Sequence, residues 1–280
     1  MEYALLQAVF LPLLLSPIAY LLGRKMGPTV TTWFTFGLLA YCTFLVIDVS
    51  LSGSYEEHYV WTQLFGEFGF KLDGLAIPFA VIIYVLSTVL ALYSKPYMIH
   101  KFHEMYEEHV HHSNSGSGQT TAMVESSGMT DYVNKQSGLY FALYLVFAMG
   151  MLGTVLATNL IQFYIFFEVM LIPGFFLVAF WGDGPRRRIS LMFLFWTHVG
   201  AVVLLLGFLT IGLSVGSFDF AAISEAKIPQ DVLMLSAIAI VLGLAVKLAA
   251  FIFHIWLPYV HGAAPTPISA LLSPAMIGIG

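Results

Sequence analysis

Two ionisable residues stand inside otherwise apolar runs. Glu168 lies in LIQFYIFFEVMLIPGFFLVAFW and Lys247 in MLSAIAIVLGLAVKLAAFIF. A charge at mid-depth in a bilayer costs about 3 kcal/mol on insertion scales. One acid and one base, each alone on its own segment, suit the movement of a proton or ion across a membrane. The proton occupancy of a buried lysine depends on whether a carboxylate stands beside it. Moving the carboxylate, or its charge, would therefore load or unload the lysine. The plainer alternative is one structural ion pair that ties two helices together.

Three histidines could extend such a path. His198 sits mid-span in FLFWTHVGAVV, and His254 and His261 flank Pro258 in FIFHIWLPYVHGAAPTPISALLSP. Histidine changes charge near neutral pH, so each could pass protons. Each could equally bridge two helices or satisfy local backbone. Pro258 removes a backbone donor and clashes with the preceding turn. Pro265 and Pro267 then redirect the chain. These prolines predict a seventh helix interrupted below Lys247. Interrupted helices occur at membrane depth only when buried in protein or lining a cavity, and transporters use them to present helix ends to ions.

The elements that must position these residues follow from composition. The 280-residue chain is 59% hydrophobic and 10% charged, with a mean hydropathy of +0.86, whereas a soluble domain has about 25% charged residues. Runs of about 20 apolar residues fit the bilayer, and in lipid they must be helical. The fold class is all-α and polytopic. Complete spans are predicted near 3–22, 30–50, 74–94, 138–158, 160–181, 189–213 and 231–255, with an eighth beginning at Ile268 and still apolar at Gly280. The first run lacks the features of a cleaved signal peptide. Connections after spans one, three and five hold eight Lys and Arg residues, against two after spans two and six. By the positive-inside rule the N-terminus faces outward and the 24–29, 95–137 and 182–188 segments face the cytoplasm. The chain has no basic surface of the kind nucleic acid needs. Cys42 is the single cysteine, which excludes an internal disulfide.

Two connections have texture. FGEFGFKLDG (65–74) alternates apolar with small or charged residues, a period of two that predicts a short hairpin on the outer surface. The segment 95–137 is polar, with HKFHEMYEEHVHH followed by SNSGSGQTT, and reads as a solvated, partly disordered loop. His103, Glu107 and His111 would share a helical face, but their spacing matches no zinc motif. No metal site is expected.

FYIFFEVMLIPGFFLVAFWG (163–182), the AVK of the seventh span and WLPYVHGAAPTPISALLSP (256–274) resemble the antiporter-like proton-translocating subunits of respiratory complex I, nearest to the subunit M type (subunit 4, or chain M). GLAIPFAVIIYVLSTVLALYS (74–94) is also similar to that family's third span. Relatives of the family include multisubunit cation/proton antiporters, membrane-bound hydrogenases and the archaeal dehydrogenases that oxidise a reduced deazaflavin. The resemblance implies fourteen helices in two inverted repeats. On that scheme, 1–94 holds three N-terminal helices, 95–137 is a His-rich cytoplasmic loop, and 138–280 is the first repeat, helices four to eight. It implies that Glu168 and Lys247 are the charge-switch pair of a first half-channel. Gly278 stands where the family often has a second lysine. The chain stops within the eighth span, which is expected of a partial or split subunit.

The function implied is a proton-translocating subunit of a redox-driven pump in a prokaryotic cell membrane, coupled to reduction of a quinone or methanophenazine. The chain carries no nucleotide loop, iron–sulfur cysteine set or haem motif. No cofactor is expected in it. Iron–sulfur clusters and flavin are expected in partner subunits, and lipid and antiporter-like membrane subunits as neighbours. A subunit of a sodium/proton antiporter complex is the second reading. A solute transporter or purely structural subunit is the third.

Overall fold

The computed structural model describes residues 3–62, 65–114 and 122–279. Among these, six helices are long and apolar enough to cross a membrane, and the chain is a multi-pass membrane protein. The first, α1 (Ala4–Leu51), contains two of the expected spans. Gly27 lies within it at φ 83 and ψ 179, a conformation that a residue with a side chain rarely adopts. Tyr41 donates to Gln7 at 3.2 Å. In a straight helix those residues would be about 51 Å apart, so α1 folds back on itself at Gly27.

A hairpin of β1 (Tyr55–Thr62) and β2 (Gly66–Leu72) follows, pairing Tyr55 with Leu72 and Glu57 with Phe70. The predicted segment 65–74 supplies only the second strand. The first strand was hidden because its inward residue is a carboxylate. Glu57 is 7% exposed and accepts from the amides of Leu5 at 3.0 Å and Leu6 at 2.9 Å, and from the Tyr59 hydroxyl at 2.8 Å. It satisfies two amides that the first turn of α1 cannot bond internally. Burial, together with that hydrogen bond, raises the Tyr59 phenol above its ordinary range, so Tyr59 remains a donor.

The next helices are α2 (Ala76–Asn114) and α3 (Ala122–Leu156). They correct the reading of 95–137 as a loop, because both helices continue through most of it. Met98, Phe102 and Val133 are buried, the rings of Tyr106 and Tyr132 meet at a tilt with centroids 5.5 Å apart, and Lys101 pairs with Asp183. An apolar seam thus holds the two extensions together despite their polar composition. The side chain of His111, and with it the His103–Glu107–His111 face, lies outside the described residues.

Then come α4 (Leu160–Trp181), α5 (Arg186–Val215), the short α6 (Phe220–Glu225) and α7 (Gln230–Lys247). After an irregular stretch come α8 (Trp256–Ala263), α9 (Thr266–Leu271) and a π-helical turn at Leu272–Ile277. The α9 segment and its π turn occupy the start of the expected eighth span.

The helix α7 touches its neighbour α5 through small residues. A Cβ on Gly243 would meet the Gly200 carbonyl oxygen and the Leu204 side chain, each at 2.7 Å, and one on Gly207 would meet the Ser236 oxygen at 3.0 Å. Small residues let helix backbones approach closely in lipid. Gly243→Val should therefore push α7 from α5 and destabilise the protein by about 1–3 kcal/mol, seen as a lower unfolding temperature in detergent. Gly262→Ala, where an added Cβ meets nothing within 4 Å, should not. Equal behaviour of the two variants would exclude the close seam.

Candidate functional site

The site is assembled from α4, α5 and the end of α7. Asn159 starts α4, its side chain accepting from the amides of Ile161 at 2.9 Å and Gln162 at 3.4 Å. The Asn159 amide also donates to the Phe65 carbonyl at 2.6 Å and to Asp219 at 2.7 Å. Three residues on, buried Gln162 brackets Gly69 of β2, accepting from its amide at 3.1 Å and donating to its carbonyl at 2.6 Å. Sheet, loop and helix end are therefore locked together within about the two and a half turns that precede Glu168.

One carboxylate oxygen of Glu168 lies 2.9 Å from Nδ1 of His198 on α5. The other is buried with no hydrogen-bond partner. Lys247 is the last residue of α7 and is 1% exposed. Its Nζ has no hydrogen-bond partner and stands 4.5 Å from the centroid of the Phe167 ring. A desolvated ammonium over an aromatic face gains about 2 kcal/mol, and the C-terminal end of a helix also favours a cation. Neither replaces the water that burial removes.

This differs in one respect from the expected Glu–Lys pair. Among the described residues no ion pair joins Glu168 to Lys247. The direct partner of Glu168 is His198, and Phe167, its chain neighbour, faces the lysine. Glu168 still acts on Lys247 through space by its charge, although the two form no direct ion pair. Phe167 was not legible in the sequence, being one aromatic among many in its run.

The seventh helix is interrupted just below Lys247, as expected, but the break lies upstream of Pro258. The irregular stretch runs from 248 to 255, with Ala249 at φ 54 and Ile252 at φ 83. A left-handed conformation is unfavourable for alanine and more so for a β-branched residue. Pro258 lies within the first turn of α8, where a missing N–H removes no helical bond. It therefore restarts the helix rather than breaking it. Pro265 does mark a break, standing as the extended residue before α9. Two indoles repair the interruption. Trp256 donates to the Val246 carbonyl at 3.1 Å and Trp196 to the Phe253 carbonyl at 3.0 Å.

The two other histidines are not brought to the pair. His261 bonds Ser269 at 2.7 Å across the α8–α9 junction. His254 is exposed and stacks on Phe251 at 6.0 Å. No group of three or more His, Cys, Asp or Glu suited to a metal occurs among the described residues.

This arrangement falls inside a matched region. Residues 157–280 fit the family described as NADH:quinone oxidoreductase/Mrp antiporter, transmembrane. Those residues are similar to that family. Chain 4 3 of the NAD(P)H-quinone oxidoreductase of Picosynechococcus sp. is 32% identical over 151 residues, covering 53% of this chain and 28% of that one. The chain spans less than half the length of the curated relatives it matches. The fold matches a chain of an archaeal respiratory membrane complex, the membrane-bound sulfane sulfur reductase. That match has a TM-score of 0.74 and 19% identity, covering 98% of this chain and 51% of that one. It also matches a chain of the Mrp complex from Dietzia sp., with a TM-score of 0.75 and 24% identity, covering 98% of this chain and 27% of that one. The antiporter-like membrane-subunit fold expected from the sequence is therefore the fold of this chain.

Trp256→Phe keeps the ring and removes the indole donor, leaving the Val246 carbonyl beside Lys247 with only the tight-turn bond from the Ala249 amide at 3.2 Å. A loss of stability of about 1 kcal/mol is expected, measured as thermal unfolding against Tyr259→Phe, an exposed position. An unchanged transition in Trp256→Phe would mean that the Ala249 amide alone suffices for that carbonyl.

Proposed function

We propose that the chain is a proton-translocating membrane subunit of a complex I-like, redox-driven pump, with no redox centre of its own. The observation that carries this reading is Lys247. Its Nζ is buried, lacks a hydrogen-bond acceptor and sits where a membrane helix stops. Such a group is costly to keep charged and has an open backbone break beside it. It can therefore take and release a proton as its surroundings change. Glu168, held by His198 on one oxygen and free on the other, is the group whose charge biases that exchange. His198 would relay protons to or from Glu168. His254 and His261, engaged elsewhere, would act nearer the ends of the path. Redox drive is supported by the likeness to the NAD(P)H-quinone oxidoreductase chain. Electron transfer would occur in iron–sulfur and flavin subunits, and neighbouring membrane subunits would complete the path. The acceptor would be a quinone or a membrane-soluble equivalent.

A subunit of a multisubunit cation/proton antiporter is the second reading. The fold shared with a chain of the Mrp complex favours it, and the same pair would serve. Co-purification of iron–sulfur subunits would decide for redox drive, and their absence from an active complex for antiport.

Two variants test the pair in vesicles containing the assembled complex. Glu168→Gln keeps shape and hydrogen bonding but removes the charge, and proton uptake should fall by about two orders of magnitude while assembly survives. Lys247→Arg keeps the charge but does not release its proton, and should stall as severely. Wild-type uptake in an assembled Glu168→Gln complex would sink the switch. Full uptake in Lys247→Arg would reduce Lys247 to an electrostatic counterweight.

A further inference from the structure

At the end of the bundle that carries Arg186, Arg187 and Arg188, a cavity of about 640 Å³ opens between α3, α4 and α5. Its chemistry is divided. Arg186, Arg187, Gln136 and Ser190 line one part, and Phe175, Phe176 and Phe180, with Leu139 and Leu191, line the other. We propose that this cavity binds one anionic phospholipid, with the phosphate on Arg186 and Arg187 and the acyl chains along the phenylalanine wall.

Arg186 also borders a second cavity with Glu104, Glu107, Glu108 and Asp183, but the lining of this one holds both arginines and no acid, which points to an anion. Among the described residues Arg186, Arg187 and Arg188 form no ion pair with a carboxylate. Arg186 reaches only the sulfur of Met105 at 3.8 Å and the Gly182 carbonyl at 3.4 Å. No acid lies in the first turn of α5. A guanidinium at the membrane boundary with five donors and so few acceptors suits a bidentate phosphate. Gln136 is oriented at the same site because its side-chain oxygen accepts from the Trp181 indole at 3.0 Å, which leaves its amide hydrogens for a ligand.

The apolar half points to a lipid rather than a free ion. Phe176 stacks on Phe180 at 5.3 Å, and Phe175 meets Phe176 edge-on at 5.0 Å. The wall runs back along α4 from Phe180 to Phe175. Phe180 and Leu191 remain exposed. A cationic rim over an apolar wall, at the depth where headgroup meets acyl chain, is complementary to an anionic phospholipid. A zwitterionic headgroup carries the same phosphate, but its attached cation meets the field of the arginines and weakens that contact.

The test uses the protein purified in mild detergent with its associated subunits, stripped of lipid and titrated with phosphatidylglycerol under native mass spectrometry. One phosphatidylglycerol should bind tightly per chain. The Arg186→Gln/Arg187→Gln variant should bind it about thirtyfold more weakly. Arg187→Gln alone, at an exposed side chain whose loss should spare the fold, should weaken binding about fivefold. Phosphatidylcholine should bind at least about tenfold more weakly than phosphatidylglycerol in the wild type. Inorganic phosphate should not displace the lipid, because it cannot use the wall. Equal retention of the two lipids, unchanged binding in both variants, or displacement by phosphate would each overturn the site. Release of a neighbouring subunit by the variants, with lipid retention unchanged, would assign the groove to a protein helix and likewise overturn it.

Discussion

The carbonyl of Val246 has lost its regular helical donor inside an apolar layer and keeps a tight-turn bond from the Ala249 amide at 3.2 Å, and much of the site depends on how it is held. Backbone groups cannot be left open in lipid, so a helix may stop at mid-depth only where another donor takes over. The Trp256 indole does this from the start of α8, and the Trp196 indole does the same for Phe253 from α5. Because both donors are side chains, the break is held open at a fixed place. Lys247 ends α7 there, buried and without an acceptor. An ordinary helix would carry that lysine past the carboxylate with its backbone sealed.

The opposite side of the site is held with less tolerance for movement. Gln162 bonds both backbone groups of Gly69, and Asn159 fastens the start of α4 to Phe65 and Asp219. Glu168 therefore rides on a helix whose end is fixed to the hairpin. Lys247 ends a helix joined to α5 by little more than a seam of small residues. One half of the pair is anchored, and the other is mounted on an element with few buried contacts, where local rearrangement is least costly.

Much of this was legible because lipid makes charge conspicuous. Glu168, Lys247 and His198 stand out in apolar runs, and spans follow from run length. Other features carried no such mark. Phe167 is an ordinary aromatic until a lysine lies over it. The break sits at Ala249 and Ile252, whose residue types argue against their positive φ; Pro258, the residue that looks like a breaker, begins the next helix. The strand at Tyr55–Thr62 escaped the alternation rule because Glu57 points inward. The helical course of 95–114 was masked by histidines and glutamates that surround Met98 and Phe102. In each case a tertiary partner, absent from the local pattern, decided the outcome.

The carboxylate of Glu57 also bears on how the protein is made. It completes the first turn of α1, yet it emerges from the ribosome only after both halves of α1 have been synthesised. The leading span must therefore enter the membrane with the amides of Leu5 and Leu6 still bonded to water. That end becomes compatible with a dry environment only once β1 arrives. The first two spans and the hairpin thus behave as one unit of biogenesis, and a chain interrupted between residues 30 and 55 would leave its first helix unfinished at the membrane surface.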